Sequence, residues 1–235
     1  MFFTPFLITA LLYGSLGIIF ENFVTTVTAN IPAPGAPVEE IQNWFWSFIL
    51  TFLAIASVMG IISWIIGTVV NGVCVKCAAD VIERGKAVLG EALNYAVYKI
   101  FSLLAAALVT AILIGLGFIA LIVPGIILLV MFSLVVPAII IEDIGALESL
   151  SRSRRLVSRR WLKTFILLLI VYLAVLFTSY VGRLIGQPLG LFNVIVSNVT
   201  AAFVQPIIPI SITVYYYAML AKEAQRVPPP PPPPF

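Results

Sequence analysis

The chain has 235 residues, of which 62% are apolar and only 10% are charged, and its formal net charge is +3. Ordinary soluble domains carry roughly 25% charged residues, so the composition excludes that class and predicts an all-α polytopic membrane protein. The sequence contains no histidine, which removes the commonest general base and metal ligand, and it shows no pairing of a nucleophile with a base. We therefore predict a protein that is not an enzyme, with no cofactor and no nucleic-acid partner.

Uncharged apolar intervals set the expected number of spans. They cover residues 41–75, 100–141, 164–182 and 184–221. A spanning helix needs about 20 predominantly apolar residues, so two of these intervals are long enough for more than one pass. Together with an apolar segment at the start of the chain, they predict about six transmembrane helices.

The first apolar segment runs from Phe2 to Asn22. No Lys or Arg precedes it, so we predict a retained spanning helix, with a cleavable signal peptide as the alternative. The segment Asn30–Glu40 is expected to be a loop because it contains three prolines, which break helices. The second helix is expected to run to about Val75. That is longer than one crossing requires, which implies a strong tilt or a projecting end.

The polar region from Lys76 to Lys99 separates the second helix from the next apolar interval. It predicts a short amphipathic helix on the cytoplasmic surface near 78–95. The interval Ile100–Ile141 has basic residues on both flanks, so both flanks are expected on the cytoplasmic side and two helices must lie between them. The turn between these helices is expected at Val123–Gly125, where Pro124 suits the first turn of the following helix.

A second amphipathic surface helix is expected near 145–160, before a fifth span from Trp161 to about Gly182. The sixth span falls within Leu191–Leu220. Four prolines are candidate helix-breaking positions: Pro124, Pro137, Pro206 and Pro209. Proline cannot donate a backbone hydrogen bond, so Pro137 is expected to kink the fourth span and the last two prolines to bend the sixth.

The distribution of Lys and Arg predicts the orientation of the chain. With the N-terminus inside, all of these residues except Arg183 fall on the cytoplasmic side, as the positive-inside rule requires. We therefore predict an N-in/C-in topology in the cell membrane, with both termini cytoplasmic. The helical domain is expected to cover residues 1–226, and a proline-rich tail covers 227–235.

Six basic residues near the start of the fifth span form a candidate patch for anionic lipid head groups. They are Arg152, Arg154, Arg155, Arg159, Arg160 and Lys163. Each such charge near the membrane surface contributes about 1 kcal/mol of attraction to anionic lipid. The alternative is that these residues determine topology and nothing more.

Two acidic residues, Glu142 and Asp143, are expected to end a helix. Acids are unfavourable there, against the negative pole of the helix dipole, so we expect pairing with arginines such as Arg152 or Arg155. A proton or cation site is the alternative for this pair.

Two further pairs of residues are candidates. Glu21 and Arg183 are expected to form an ion pair on the outer face, or to be two separately snorkelling side chains. Cys74 and Cys77 form a C-x-x-C sequence at the inner end of the second helix. A structural zinc needs about four ligands, so we expect free thiols in a reducing compartment.

Four segments carry a resemblance to a known family. They are Leu121–Ile126, Val136–Glu142, Ala146–Ser153 and Leu156–Trp161. Over roughly Gly67–Leu220, the chain resembles the prokaryotic six-helix domain called the glycerophosphodiester phosphodiesterase membrane domain. The resemblance implies an integral membrane protein without an agreed activity, because in relatives with a phosphodiesterase a separate soluble barrel performs the chemistry. The chain departs from the pattern at Ser158, where the family has a glycine, so we do not transfer the enzymatic label.

These observations predict a structural or accessory membrane protein that interacts with lipids, with other membrane-protein subunits or with a second copy of itself. The alternative is a small-molecule or ion transporter or channel component, with helices broken around a cavity at Pro137, Pro206 and Pro209. A continuous polar cavity would favour transport, whereas a dry core would favour an accessory subunit.

Overall fold

The computed structural model describes residues 17, 21–186 and 203–225, apart from the side chains of residues 183 and 185. Within these ranges the chain is helical, with turns and no strand. In chain order the helices are α1 (21–29), α2 (Val38–Arg84), α3 (Leu89–Tyr98), α4 (Ile100–Ala120), α5 (Ile122–Met131), α6 (Val135–Ile141), α7 (Ala146–Ser158), α8 (Trp161–Gly186) and α9 (Ile207–Ala224). The predicted all-α class is confirmed.

Four candidate spans are long and apolar enough to cross a membrane, counted over the described ranges. They are Val38–Arg84, Ile100–Ala120, Ile122–Ile141 and Trp161–Gly182. Most of the predicted first span and the segment before α9 lie outside the described residues. Six spans and the N-in/C-in topology therefore stay predictions.

Helix α2 is a single helix of 47 residues that continues past Val75 to Arg84. It ends because Gly85 adopts a left-handed conformation with φ +73°, and its N–H donates to the carbonyl of Val81 at 3.0 Å. The surface helix predicted near 78–95 is therefore wrong in its bounds, since residues 78–84 belong to α2 and α3 is a separate helix after the glycine. An ion pair of 3.0 Å between Lys76 and Asp80, one turn apart, lies within this extension of α2.

The turn between α4 and α5 lies at Leu121, which is extended with φ −167° and ψ 155°. The prediction of a turn at Val123–Gly125 is thus wrong by a few residues, because these residues form the first turn of α5. Gly125 instead permits close packing of the two helices: a Cβ added there would lie 2.6 Å from Cγ of Phe118. Pro124 occupies the first turn of α5, where its missing N–H leaves no helical bond unmade.

The helix pair α5–α6 is interrupted at residues 132–134, one turn before Pro137. Proline has no N–H to donate to the carbonyl of Ser133, four residues earlier, so the helical hydrogen-bond pattern fails at this point. A side chain from α7 satisfies the backbone at the break. The buried Ser153 hydroxyl donates to the carbonyl of Met131 at 2.6 Å and accepts from the N–H of Leu134 at 3.2 Å.

Helix α7 corresponds to the surface helix predicted near 145–160, but one of its faces is buried in the bundle. Its buried residues are Ser149, Leu150, Ser153, Leu156 and Val157. It packs against α4, α5, α6 and α8. Around it lie two apolar clusters, one centred on Val157, Ala138 and Tyr216 and the other on Leu103 and Ile139. We call the end of the bundle that is assembled from α2, α3, α6, α7 and α9 the polar end.

Candidate functional site

An ion-pair network joins three helices at the polar end of the bundle. The Nε atom of Arg152 in α7 donates to both carboxylate oxygens of Glu142, just after α6, at 2.9 Å each. Its Nη1 and Nη2 atoms donate to the two oxygens of Glu223 in α9, at 3.1 and 2.7 Å. The hydroxyl of Tyr216 donates to Glu142 at 2.7 Å. Hydrogen bonding to Glu223 and Glu142 raises the pKa of Arg152, against the opposing effect of its burial.

The predicted pairing of Glu142 with an arginine is therefore present. This pairing removes Arg152 from the candidate lipid patch, because the guanidinium of Arg152 is already bound by two carboxylates. A guanidinium presents donors in a fixed planar fork, and here that fork faces the two carboxylates instead of the membrane surface.

Asp143 forms a second contact between helices, and its predicted pairing with an arginine is wrong. Its Oδ1 lies 2.7 Å from Nζ of Lys99 and accepts a hydrogen bond of 2.6 Å from the hydroxyl of Tyr95. Its backbone is left-handed with φ 56°, a conformation that aspartate tolerates better than most residues. The hydrogen bonds from Lys99 and Tyr95 lower the pKa of Asp143. Burial, together with the hydrogen bond to Asp143, raises the pKa of Tyr95.

The low pKa of Asp143 predicts an acid-dependent loss of stability. A carboxyl group with a folded-state pKa below its ordinary value of 3.8 contributes stability that is fully present above about pH 4 and is lost as pH falls through the folded-state pKa. We expect Asp143→Asn to unfold at a lower temperature than wild type at pH 7. The difference between the two unfolding temperatures should become smaller below pH 4. Unfolding followed in detergent from pH 7 to pH 3 would measure this.

The matched control is Glu148→Gln on the exposed side of α7, which removes a carboxylate that has no ion pair in the described part of the chain. It should follow the wild-type pH profile. A difference between Asp143→Asn and wild type that stays constant down to pH 3 would contradict the assignment.

A basic cleft lies between the α7–α8 turn and the end of α9. We define it by five cations: Arg155, Arg159, Arg160, Lys163 and Lys222. It consists of two adjoining depressions that share Arg159, Arg160 and Lys222. None of the five cations forms an ion pair within the residues that the structure describes.

The floor and rim of the basic cleft have different chemistry. Leu156 and Met219 are buried and supply an apolar floor. Glu223 is the one acidic residue among the described lining side chains, and both of its oxygens are bound by Arg152. Trp161 stacks on Phe165 with ring centroids 5.3 Å apart, and its indole N–H is buried without a hydrogen-bond partner among the described residues. The cleft thus combines apolar surface with cations that form no described ion pair, although Arg155 and Arg159 also lie within electrostatic reach of Glu223 and help the hydrogen bond from Arg152 to lower its pKa.

The structure divides the predicted lipid patch into three parts. Arg155, Arg159, Arg160 and Lys163 lie together in the basic cleft. Arg154 is exposed on α7 but does not line the cleft, and Arg152 is engaged in the network. Lys222 was not included in the predicted patch because it lies far from the other four cations of the cleft in the sequence. A signal was present, since a lysine just after an aromatic belt at the end of a span is typical of an inner membrane boundary.

A partly open cavity of about 590 Å³ lies between α2, the break in α5–α6, α8 and α9, and its lining includes exposed as well as buried side chains. Its polar lining residues are Asn71, Ser133, Tyr172 and Gln205. Most of the remaining wall is aliphatic, and it includes Pro137 and Pro209. We refer to it as the internal cavity.

Pro124 and Pro206, the other two predicted helix-breaking prolines, do not line this cavity. Pro206 is the N-cap of α9 and Pro209 is in its first turn, so within the described residues these two prolines lie at the start of a helix and not in its middle. Pro124 is in α5.

Two of the predicted features, the outer ion pair and the proline-rich tail, fall partly or wholly outside the described residues. Glu21 is exposed in α1, whereas the side chain of Arg183 is not described, so their ion pair stays a prediction. The proline-rich tail at 227–235 also lies outside. Cys74 and Cys77 are free and buried in α2, and Cys77 packs in an apolar cluster with Ala92 and Ala96 of α3.

The fold and the sites define a class of protein: an all-helical protein whose apolar helices are compatible with membrane spanning. Residues 1–221 match a family described as a domain of unknown function, DUF7847, and the chain belongs to that family. No curated protein and no solved structure matches the chain. The resemblance to the glycerophosphodiester phosphodiesterase membrane domain stays a prediction.

Proposed function

We propose that the chain is a multi-pass protein of the cell membrane, with six spans and cytoplasmic termini, that serves as a structural or accessory subunit and binds anionic lipid head groups. In this proposal the protein is not an enzyme. Its partners are lipids, together with other membrane proteins or a second copy of the same chain. The observation that carries the proposal is the basic cleft, with its five cations outside any described ion pair.

The position and chemistry of the basic cleft fit an anionic phospholipid. Four of the cations lie at the end of α7 and the beginning of α8, where an apolar helix of membrane-spanning length starts, and Lys222 is in the last turn of α9. Arginine binds phosphate oxygens with paired hydrogen bonds, and the cytoplasmic leaflet carries a negative surface potential. The apolar floor of Leu156 and Met219 would lie beside the first carbons of the acyl chains. Trp161 has the amphipathic ring that is enriched at membrane interfaces.

Neutralising the cleft should weaken lipid binding. For Arg155→Gln/Arg159→Gln/Lys222→Gln we expect the apparent affinity for phosphatidylglycerol to fall by at least tenfold. The upper bound is about 100-fold, because three surface charges contribute about 1 kcal/mol each. Native mass spectrometry of the full chain, titrated with phosphatidylglycerol and with phosphatidylcholine, would measure the change.

The matched control removes the same number and kind of charges elsewhere on the polar end. Arg84→Gln/Lys86→Gln/Arg154→Gln changes two arginines and one lysine that are exposed and outside the cleft. We expect less than a threefold loss in this control. Equal losses in both triple variants would mean that net charge, and not the cleft, attracts the lipid.

The second candidate function is a transporter or channel component. The internal cavity favours it, because prolines at two helix ends line a space with polar groups between the helices. Its described lining contains no Asp, Glu, Lys or Arg, which argues against the movement of ions through it. Uptake of small neutral solutes by proteoliposomes, compared with empty liposomes, would test this function.

A further inference from the structure

The polar side chains of the internal cavity lie at depths where a membrane offers no water. Asn71 is five residues from Lys76 in α2, which is about 8 Å along the helix axis. Tyr172 is eleven residues from Trp161 in α8, or about 16 Å. If the inner boundary of the hydrocarbon region lies at Lys76 and Trp161, both side chains are within this region, whose thickness is about 30 Å.

These groups are left without protein partners. The side chains of Asn71, Tyr172 and Gln205 are exposed in the open part of the cavity, and none makes a hydrogen bond with another described residue. The carbonyl of Ser133 also lacks its helical donor, because residue 137 is a proline. An unsatisfied polar group in an apolar environment costs several kcal/mol. A bound molecule that supplies hydrogen bonds removes this cost.

The lining of the internal cavity also restricts the charge that a bound molecule can carry. No acidic or basic side chain is found among the described residues around the cavity. An ion transferred there would lose its hydration without gaining a counter-charge. Most of the wall is aliphatic, including Val136, Leu176 and Ile212, so the greater part of the ligand must be apolar. The volume of about 590 Å³ lies in the usual range for ligand sites, roughly 300–1,000 Å³.

We propose that the internal cavity binds a neutral lipid with a hydroxyl or carbonyl head, such as a diacylglycerol. Asn71, Tyr172 and Gln205 hydrogen-bond to the head, and the aliphatic wall packs against the chains. This inference rests on the spanning of the membrane by α2 and α8, and it is independent of the basic cleft.

Photolabelling of the full chain tests the proposal. The protein is reconstituted in phosphatidylcholine nanodiscs that contain a diacylglycerol with a diazirine in one acyl chain, and labelled peptides are identified by mass spectrometry. We expect labelling of cavity residues of α2 and α8, and competition by unlabelled diacylglycerol but not by phosphatidic acid. Tyr172→Phe and Asn71→Leu should each lower labelling at least fivefold.

The matched control is Tyr180→Phe, which makes the same change on the same helix at a residue that is also exposed but does not line the cavity. It should label as the wild type does. Unchanged labelling in Tyr172→Phe and Asn71→Leu would overturn the proposal. So would equal labelling by a diazirine hydrocarbon that has no polar head, since an acyl chain alone would then account for the site.

The proposals for the two lipid sites can be tested separately. The triple variant of the basic cleft should keep full diacylglycerol labelling while it loses phosphatidylglycerol binding. Loss of both activities in that variant would mean that the two sites are one, and it would overturn the assignment of the cavity as a distinct site.

Discussion

Replacing Arg152 by leucine is expected to lower the free energy of unfolding by about 2–4 kcal/mol. The substitution leaves the carboxylates of Glu142 and Glu223 close together without a cation, although each now binds the same guanidinium. Loss of one partner from a fully buried ion pair costs about 3–5 kcal/mol. The expected value is lower here because the side chain of Glu223 is 45% exposed and is partly screened by solvent.

Thermal unfolding in detergent at neutral pH would measure the effect. The matched control is Arg154→Leu, two residues along α7, where the exposed side chain has no ion pair in the described part of the chain. It should change stability by less than about 0.5 kcal/mol. Adding Glu142→Gln and Glu223→Gln to Arg152→Leu should restore part of the loss, because the unpaired charges are then removed. Equal effects of the two leucine variants would refute the structural role of Arg152.

The second large effect is expected for Ser153→Ala, which should also cost about 2–4 kcal/mol. The serine hydroxyl satisfies two backbone groups at the break between α5 and α6, the carbonyl of Met131 and the N–H of Leu134. Alanine cannot bond to either group, and each buried polar group left without a partner costs about 1–3 kcal/mol. The loss of volume is small, so the hydrogen bonds dominate the effect.

Ser158→Ala is the matched control on the same helix, because among the described residues its hydroxyl bonds to nothing beyond the carbonyl of Arg155 within α7. Its unfolding temperature should be close to that of wild type. Amide hydrogen exchange adds a local measurement: the N–H of Leu134 should exchange faster in Ser153→Ala and at the wild-type rate in Ser158→Ala. Unchanged protection of Leu134 in the first variant would show that the break is stabilised in another way.

The sequence was sufficient for the helical class because composition and charge-free length determine which segments can be apolar helices. Several helix ends were harder to predict. Gly85 ends α2 through a left-handed conformation, but glycine also occurs inside helices, as Gly90 does in α3. The turn before α5 lies at Leu121, a residue without any turn signature, while Gly125 serves helix packing. Contacts between helices decide such positions.

The candidate sites were predictable only in part, for the same reason. Six basic residues near the α7–α8 turn look equivalent in sequence, and the positions of Glu142 and of Glu223, 71 residues away from Arg152, distinguish that arginine from its neighbours. The buried face of α7 contains Ser149 and Ser153, which a search for apolar periodicity counts as exposed positions. The internal cavity depends on the meeting of four chain segments, which no local pattern encodes.

The length of α2 has a consequence for the membrane that would surround the protein. Its uncharged part, Ile41–Val75, is about 52 Å long at 1.5 Å per residue, against a hydrocarbon thickness of about 30 Å. Even at a tilt of about 40°, near the upper limit for membrane helices, it would still extend over about 40 Å. Its buried residues all lie between Thr68 and Asp80, so among the described helices the bundle buries α2 near its inner end. Such hydrophobic mismatch favours thick bilayers, and we expect the protein to partition into the thicker regions of a membrane.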